Sequence, residues 1–239
     1  MNFLFHHHLA KRDLGSDAGA LGAMLPDVWR MADRRAHLRE HDSTAEGEAL
    51  NAVLEGVAHH MAVDARFHAA SVFTEGERAT RDALRGASRA PKLSLFAHVG
   101  WELCLDGALV RRVGLEALLD TVRASVASVG AETTRCAAFM SAPSLRAFSE
   151  EERERFDLRV ARILDAIALG PWVAGYATGA GVVERLEGVR TRLRLAPLPE
   201  ADRGAVGSAL EKLANRADVA VDEITSWGSS ARPTNLTLG

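Results

Sequence analysis

Two stretches of this 239-residue chain carry ionisable residues at helical spacing. In "AHHMAVDARFH", His60, Asp64 and His68 are spaced i, i+4, i+8, and each step of four turns only about 40° around a helix. In "LFAHVGWELCLDG", His98, Glu102 and Asp106 repeat the spacing. Imidazole and carboxylate together form a donor set for iron, manganese or zinc, and do not discriminate well among them. Eight residues span about 12 Å of helix axis. One ion therefore cannot take a whole trio: either two ions share it, or one member supports another ligand from outside.

The first trio falls on the stripe of Leu54, Val57 and Met61, and the second on the side of Leu95, Val99 and Leu109. Ionisable groups on a core face need partners, because burying them unpaired costs several kcal/mol. A cation is one such partner. A lone buried histidine is more often a hydrogen-bonded core residue, and a His/acid pair at i, i+4 is often a surface salt bridge. Two trios on two inward faces favour metal. His59 lies about 100° from His60 and reads as a bystander. His37 and His41 sit in a charged stretch and read as solvated.

Helices must position these residues, and the periodicity is helical nearly throughout. Leu50, Val53, Leu54, Val57 and Met61 form one apolar stripe. Further helices are expected from about Lys92 to Val110, Gly114 to Val129 and Gly181 onward, and from Pro199 to Ile224. "SEEERERFDLRVARILDAIALG" reads as a helix capped by Ser149, with acids in its first turn and a stop at Gly170 before Pro171. Strand alternation and Asn-Gly hairpin signals are missing. The expectation is an all-α, single helical metal-binding domain over 1–226, followed by a disordered tail over 227–239 rich in Gly, Ser and Thr. "GYATGAGVVERL" lacks the preceding strand and the spacing of a phosphate loop, so it reads as a helix–helix connection.

Composition narrows the function classes. A net charge of -3 gives no electrostatic argument for nucleic acid or for an anionic membrane. The two cysteines, Cys104 and Cys136, read as buried thiols in a reducing compartment. No apolar run is read as long enough to span a bilayer, and no leader pattern precedes the fold, so a cytoplasmic location is expected.

"MNFLFHHHLA" resembles the N-terminal "MNFL-x-H-x-HLA" signature of the bacterial acyl-carrier-protein phosphodiesterases. That family is a divergent branch of the His-Asp (HD) metal phosphohydrolases. "GALGAMLPDV" resembles a "GNLLGDFV"-type segment and places Asp27 on its acid. "GVAHHMAVDARFH" resembles "GI-x-x-HR-x-ID-x-x-TD" and places His60 and Asp64 on its His and Asp. "APKLSLFAHVGWELCL" resembles the segment containing "D-V-x-x-DH-x-L", and "WVAGYATGAGVVERLEGVRTRL" the "W-x-x-x-Y" region. The resemblance spans roughly residues 1–224 and implies the HD-domain fold. It also implies a mono- or dinuclear site that activates water for attack on a phosphodiester or another small-molecule substrate.

The resemblance implies metal ligands His6, Asp27, His60, Asp64, His68, His98 and Glu102. Glu102 doubles as a candidate base, and His8 as a donor to substrate oxygen. In a regular helix His6 and His8 lie about 160° apart. One is therefore expected as ligand and the other as support, with His6 favoured and His7 extra. His68 and His98 stand where the family has acids, Glu102 where it has the second acid, and Leu103 where it has histidine. This His-enriched set points toward iron or zinc and away from acyl carrier protein as substrate. A di-iron oxygenase of the wider superfamily is the alternative, and a non-catalytic metal-binding helical protein the third reading.

Overall fold

A computed structural model describes residues 2–38 and 47–227. Among them the secondary structure is all α: α1 (Phe3–Leu14), α2 (Asp17–Ala32), α3 (Glu48–Ala69), α4 (Ser71–Ala87), α5 (Ala97–Val113), α6 (Leu115–Ala127), α7 (Ala131–Ser141), α8 (Glu150–Leu169), α9 (Pro171–Gly175), α10 (Gly179–Arg192), α11 (Glu200–Glu211) and α12 (Ala214–Ser226). Short 3₁₀ turns occupy Leu93–Phe96 and Pro143–Ala147. His41 and nearly all of the expected tail lie outside the described residues.

The chain groups into two compact units, a division the sequence reading does not make. One unit combines Met1–Asn2, Arg66–Ala117 and Gly170–Ser226; the other combines Phe3–Ala65, Leu118–Leu169 and Trp227–Gly239. In the second unit, α1 and α2 form an antiparallel pair and α2 also packs on α8. Ser16 starts α2 by accepting from the Gly19 N–H at 2.9 Å. Ser149 and Glu152 form a reciprocal capping box at the start of α8, and Gly170, at φ 93°, follows its end, as the sequence predicts.

The backbones of α2 and α3 come into direct contact at glycines. A β-carbon on Gly22 would lie 2.1 Å from the Val53 carbonyl oxygen, and one on Gly56 would lie 2.0 Å from that of Gly19. No side chain fits at either position. Pro26 sits inside α2; it removes one intrahelical bond and pushes the carbonyl four residues back outward. The helix stays continuous over Asp17–Ala32, and its Gly19–Ala23 stretch faces α3.

In the other unit, α5 packs against α4, α9, α10 and α12. The segment Leu93–Val113 has the length and apolar composition of a membrane-crossing helix, and 72% of its most apolar 18-residue window is buried inside the protein. This corrects the reading that no run is long enough. The segment serves as the central helix of its unit.

Several boundaries and faces differ from expectation. The α5 helix starts at Ala97 rather than Lys92, after a 3₁₀ turn. Leu95 is 73% exposed, whereas Phe96, Trp101 and Leu105 are buried. A 3₁₀ turn advances about 120° per residue against 100° for α, so a stripe extrapolated through it loses phase. In α3 the buried stripe runs through Val53, Val57, Val63 and Phe67, while Met61 is half-buried. The expected Pro199–Ile224 helix is two helices broken at Lys212–Leu213. Cys104 is buried, but Cys136 is partly exposed beside Glu132.

Two glycine substitutions test the α2–α3 contact. Gly56→Ala should cost about 2–3 kcal/mol in urea denaturation, because backbone rather than a flexible side chain must move. Gly86→Ala, at an α4 position where a β-carbon meets nothing within 4 Å, should be neutral or stabilising by up to ~1 kcal/mol.

Candidate metal centre

His6 lies on α1, and its side chain is fully buried. The helical register turns the three consecutive histidines three ways. His6 stacks on His60 of α3, with ring centroids 3.8 Å apart and planes 31° from parallel. Two imidazoles in that arrangement repel if both are charged. His6 is held well below the usual histidine pKa, first by burial and then by His60. Neither ring nitrogen of His6 has a hydrogen-bond partner in the protein.

The α2–α3 contact sets the tautomer of His60. Its Nδ1–H donates to the Ala23 carbonyl at 2.8 Å, one residue after Gly22. The proton is thereby fixed on Nδ1 and the lone pair on Nε2. This is the arrangement that metal-ligating histidines use to orient and enrich the ring. Asp64, one turn further along α3, comes within 3.6 Å of His6 Nε2. That is too long for a direct hydrogen bond but suits two ligands of one ion. Burial pushes the Asp64 carboxyl up, but the net direction is down, with His6 the largest of the opposing influences.

His6, His60 and Asp64 each offer one atom within 4.8 Å of the others'. Donors around an ion at 2.0–2.1 Å lie roughly 3–4 Å apart, so small side-chain rotations close the set. The orphaned nitrogens of His6, the pre-set Nε2 of His60 and the carboxylate of Asp64 fit a divalent cation. All three residues belong to one compact unit.

A second group forms in the other unit, where His68, His98 and Glu102 meet the same distance condition. Its electrostatics differ. His98 Nε2 lies 3.0 Å from Glu102 Oε1, and His68 Nε2 lies 3.8 Å from the same oxygen. The bond to Glu102 raises the His98 pKa against the effect of burial. Burial raises Glu102, but His98 brings it down overall. The group is thus already satisfied as an ion pair, and a metal there must displace the shared proton. His68 stacks on Phe73 at 4.6 Å.

The remaining candidates stand outside both groups. Asp27 is half-buried on α2. His8 is half-buried, its pKa lowered by burial and by Arg12. Asp106 is fully buried and, with desolvation as the larger cause, helps to raise the Tyr176 hydroxyl. Each histidine–acid trio of the sequence is thus divided: His60 and Asp64 join His6, whereas His68 joins His98 and Glu102.

Three features escape sequence reasoning. The Ala23 carbonyl is a backbone group with no residue signal. His59 is buried in an ion pair with Asp13 at 3.0 Å rather than idle. His7 donates from Nε2 to Ser125 Oγ at 2.9 Å, Ser125 donates to Asp17, and Lys11 also donates to Asp17. Separations of over 100 residues hide such pairs. The serine lies between the histidine and the acid, and it is fully buried, so this chain tethers helices and is not a nucleophile triad.

No family model, curated protein or solved structure matches this chain. The fold and the site therefore define it at the level of class, as an all-α protein carrying, among the described residues, two groups of two histidines and one carboxylate.

Burial lowers the His7 pKa to about 4. A buried neutral histidine must take up a proton on unfolding, so the unfolded state binds more protons below about pH 6.5. This stability is complete above pH 6.5 and is lost as pH falls toward 4. Urea titrations of chelator-treated protein should show the decline, with His7 contributing on the order of 3 kcal/mol by pH 4. His7→Gln should make the decline shallower, leaving the part due to His6 and His8.

Proposed function

We propose that this protein is a metal-dependent hydrolase that cleaves a phosphodiester, with its ion held by His6, His60 and Asp64. The observation that carries the reading is the bond from His60 Nδ1 to the Ala23 carbonyl, beside a buried His6 whose ring nitrogens make no hydrogen bond within 3.5 Å and whose Nε2 lies 3.6 Å from Asp64. Two imidazoles and a carboxylate leave a coordination position open, the pattern of hydrolytic zinc sites. A divalent ion held there supplies Lewis acidity and a water acidified toward neutral pH. The chain's own part is to fix the His60 tautomer, keep His6 neutral and hold Asp64 ionised. The phosphodiester class comes from the resemblance of "MNFLFHHHLA" and of the His60/Asp64 segment. His8, on the same helix as His6 and beside Arg12, is the candidate for handling protons, whereas Glu102 belongs to the separate group with His68 and His98.

The same donor set also serves non-haem iron oxygenases, which makes oxygen activation the second reading. Elemental analysis of protein purified without added metal separates the cases, combined with hydrolysis of bis(p-nitrophenyl) phosphate. Wild type should retain zinc, iron or manganese. His60→Ala and Asp64→Ala should lose it, and with it hydrolysis by more than about 100-fold, beyond the 10–100-fold typical of losing an outer partner. Glu102→Gln should keep the metal. Undiminished metal in His60→Ala would overturn this site. An iron-dependent optical band with oxygen uptake, and no phosphodiester cleavage, would favour the oxygenase.

A further inference from the structure

The unit that includes α5 holds a group of donors that the proposed hydrolysis does not use. His98 and Glu102 stand in the first two turns of α5, and His68 in the last turn of α3. All three belong to the same compact unit. An ion pair between His98 and Glu102, at 3.0 Å, is complete with two residues. His68 nevertheless comes from another helix, with α4 between them in the chain, and brings its Nε2 to 3.8 Å from the same Glu102 oxygen.

Those distances decide what the third residue adds. Two donors about 2.0–2.1 Å from a tetrahedral ion lie about 3.4 Å from each other. The two nitrogen–oxygen separations fall on either side of that value, and one atom of each residue lies within 4.8 Å of the others'. Small side-chain rotations complete a three-donor set. The rings are also held. Phe73 of α4 stacks on His68, with centroids 4.6 Å apart and planes 28° from parallel, and meets His98 edge-on at 5.0 Å. Donors already fixed by packing lose little freedom when an ion arrives.

The donor set selects the ion. Two imidazoles and one carboxylate suit zinc and disfavour magnesium or calcium, which take oxygen ligands. Zinc also tolerates irregular geometry, because its filled d shell imposes none. A permanent structural zinc ordinarily has four protein ligands. Here there are three among the described residues, and the side chains of His68 and His98 are 35% and 42% exposed. The ion must also replace the proton that His98 and Glu102 share. These features make the ion exchangeable and leave its fourth position to water.

We propose that His68, His98 and Glu102 bind an exchangeable zinc ion of their own, which fastens the last turn of α3 to the first turns of α5. This ion is distinct from the one assigned to His6, His60 and Asp64, and its test does not depend on that assignment.

Equilibrium dialysis of the chelator-treated full chain against buffered zinc provides the test, in a His60→Ala background that takes the first group out of the count. His98→Ala and His68→Ala, both at partly exposed positions, should each lower the bound zinc by one ion per chain. Equimolar magnesium should not displace that ion. Zinc at about 100 times its dissociation constant should raise the melting midpoint of the His60→Ala chain by about 5 °C or more. The midpoint of the His60→Ala/His98→Ala chain should not move. Each shift compares one chain with and without zinc, so it is read even where a variant is less stable. Equal zinc binding with and without His98, displacement by equimolar magnesium, or a midpoint of the His60→Ala chain indifferent to zinc would each overturn the proposal.

Discussion

Backbone contact between α2 and α3 is the constraint on which the His6 group depends. Gly22 and Gly56 let the two helices meet without intervening side chains, and the Ala23 carbonyl accepts from His60 within that contact. A wider separation would break this bond and free the ring to choose its tautomer. It would also part His60 from His6, because α1 is packed on α2. The contact brings together a buried neutral imidazole, a ring with its lone pair committed to Nε2, and a carboxylate one turn away. In water the three would keep separate hydration shells. Here the protein has removed those shells from His6 and brought one donor atom of each residue within 4.8 Å of the others'.

The two groups share a composition but not an energetic state. In His68, His98 and Glu102, the imidazole and carboxylate satisfy each other as an ion pair, and His98 and His68 remain partly exposed. Such a pair contributes modestly to stability and loses little if no ion arrives. In His6, His60 and Asp64, burial opposes a charge on His6 more strongly than Asp64 at 3.6 Å favours it. The likeness between "AHHMAVDARFH" and "LFAHVGWELCLDG" is a likeness of spacing, and the surroundings separate their chemistry.

The all-α architecture was legible because apolar periodicity and caps are local. The Ser149 capping box and the Gly170 stop are read directly from residues that touch their near neighbours. The histidine and carboxylate donors were visible for the same reason, since i, i+4 spacing places side chains on one face whatever the rest of the fold does. Their grouping was not. The trio of α3 divides because His6 comes from a different helix, and His98 with Glu102 from another. No spacing within α3 encodes that partition. The exposed Leu95 shows a second limit, in which a few residues of 3₁₀ geometry shift the phase of a pattern that looks continuous. The break at Lys212–Leu213 has neither Gly nor Pro to announce it, and the division into two units leaves no compositional trace.

Gly56, His60 and Asp64 are spaced four apart along α3, so the glycine that permits the helix contact lies on the same face as the two donors. An insertion or deletion of one residue between positions 56 and 64 would turn the donors about 100° away from the contact while leaving the helix intact. Point changes in this stretch can be graded in their effect, but changes of length cannot. Chain length between these positions is therefore under a stricter rule than residue identity, and descendants of this sequence that keep the centre must vary in length elsewhere.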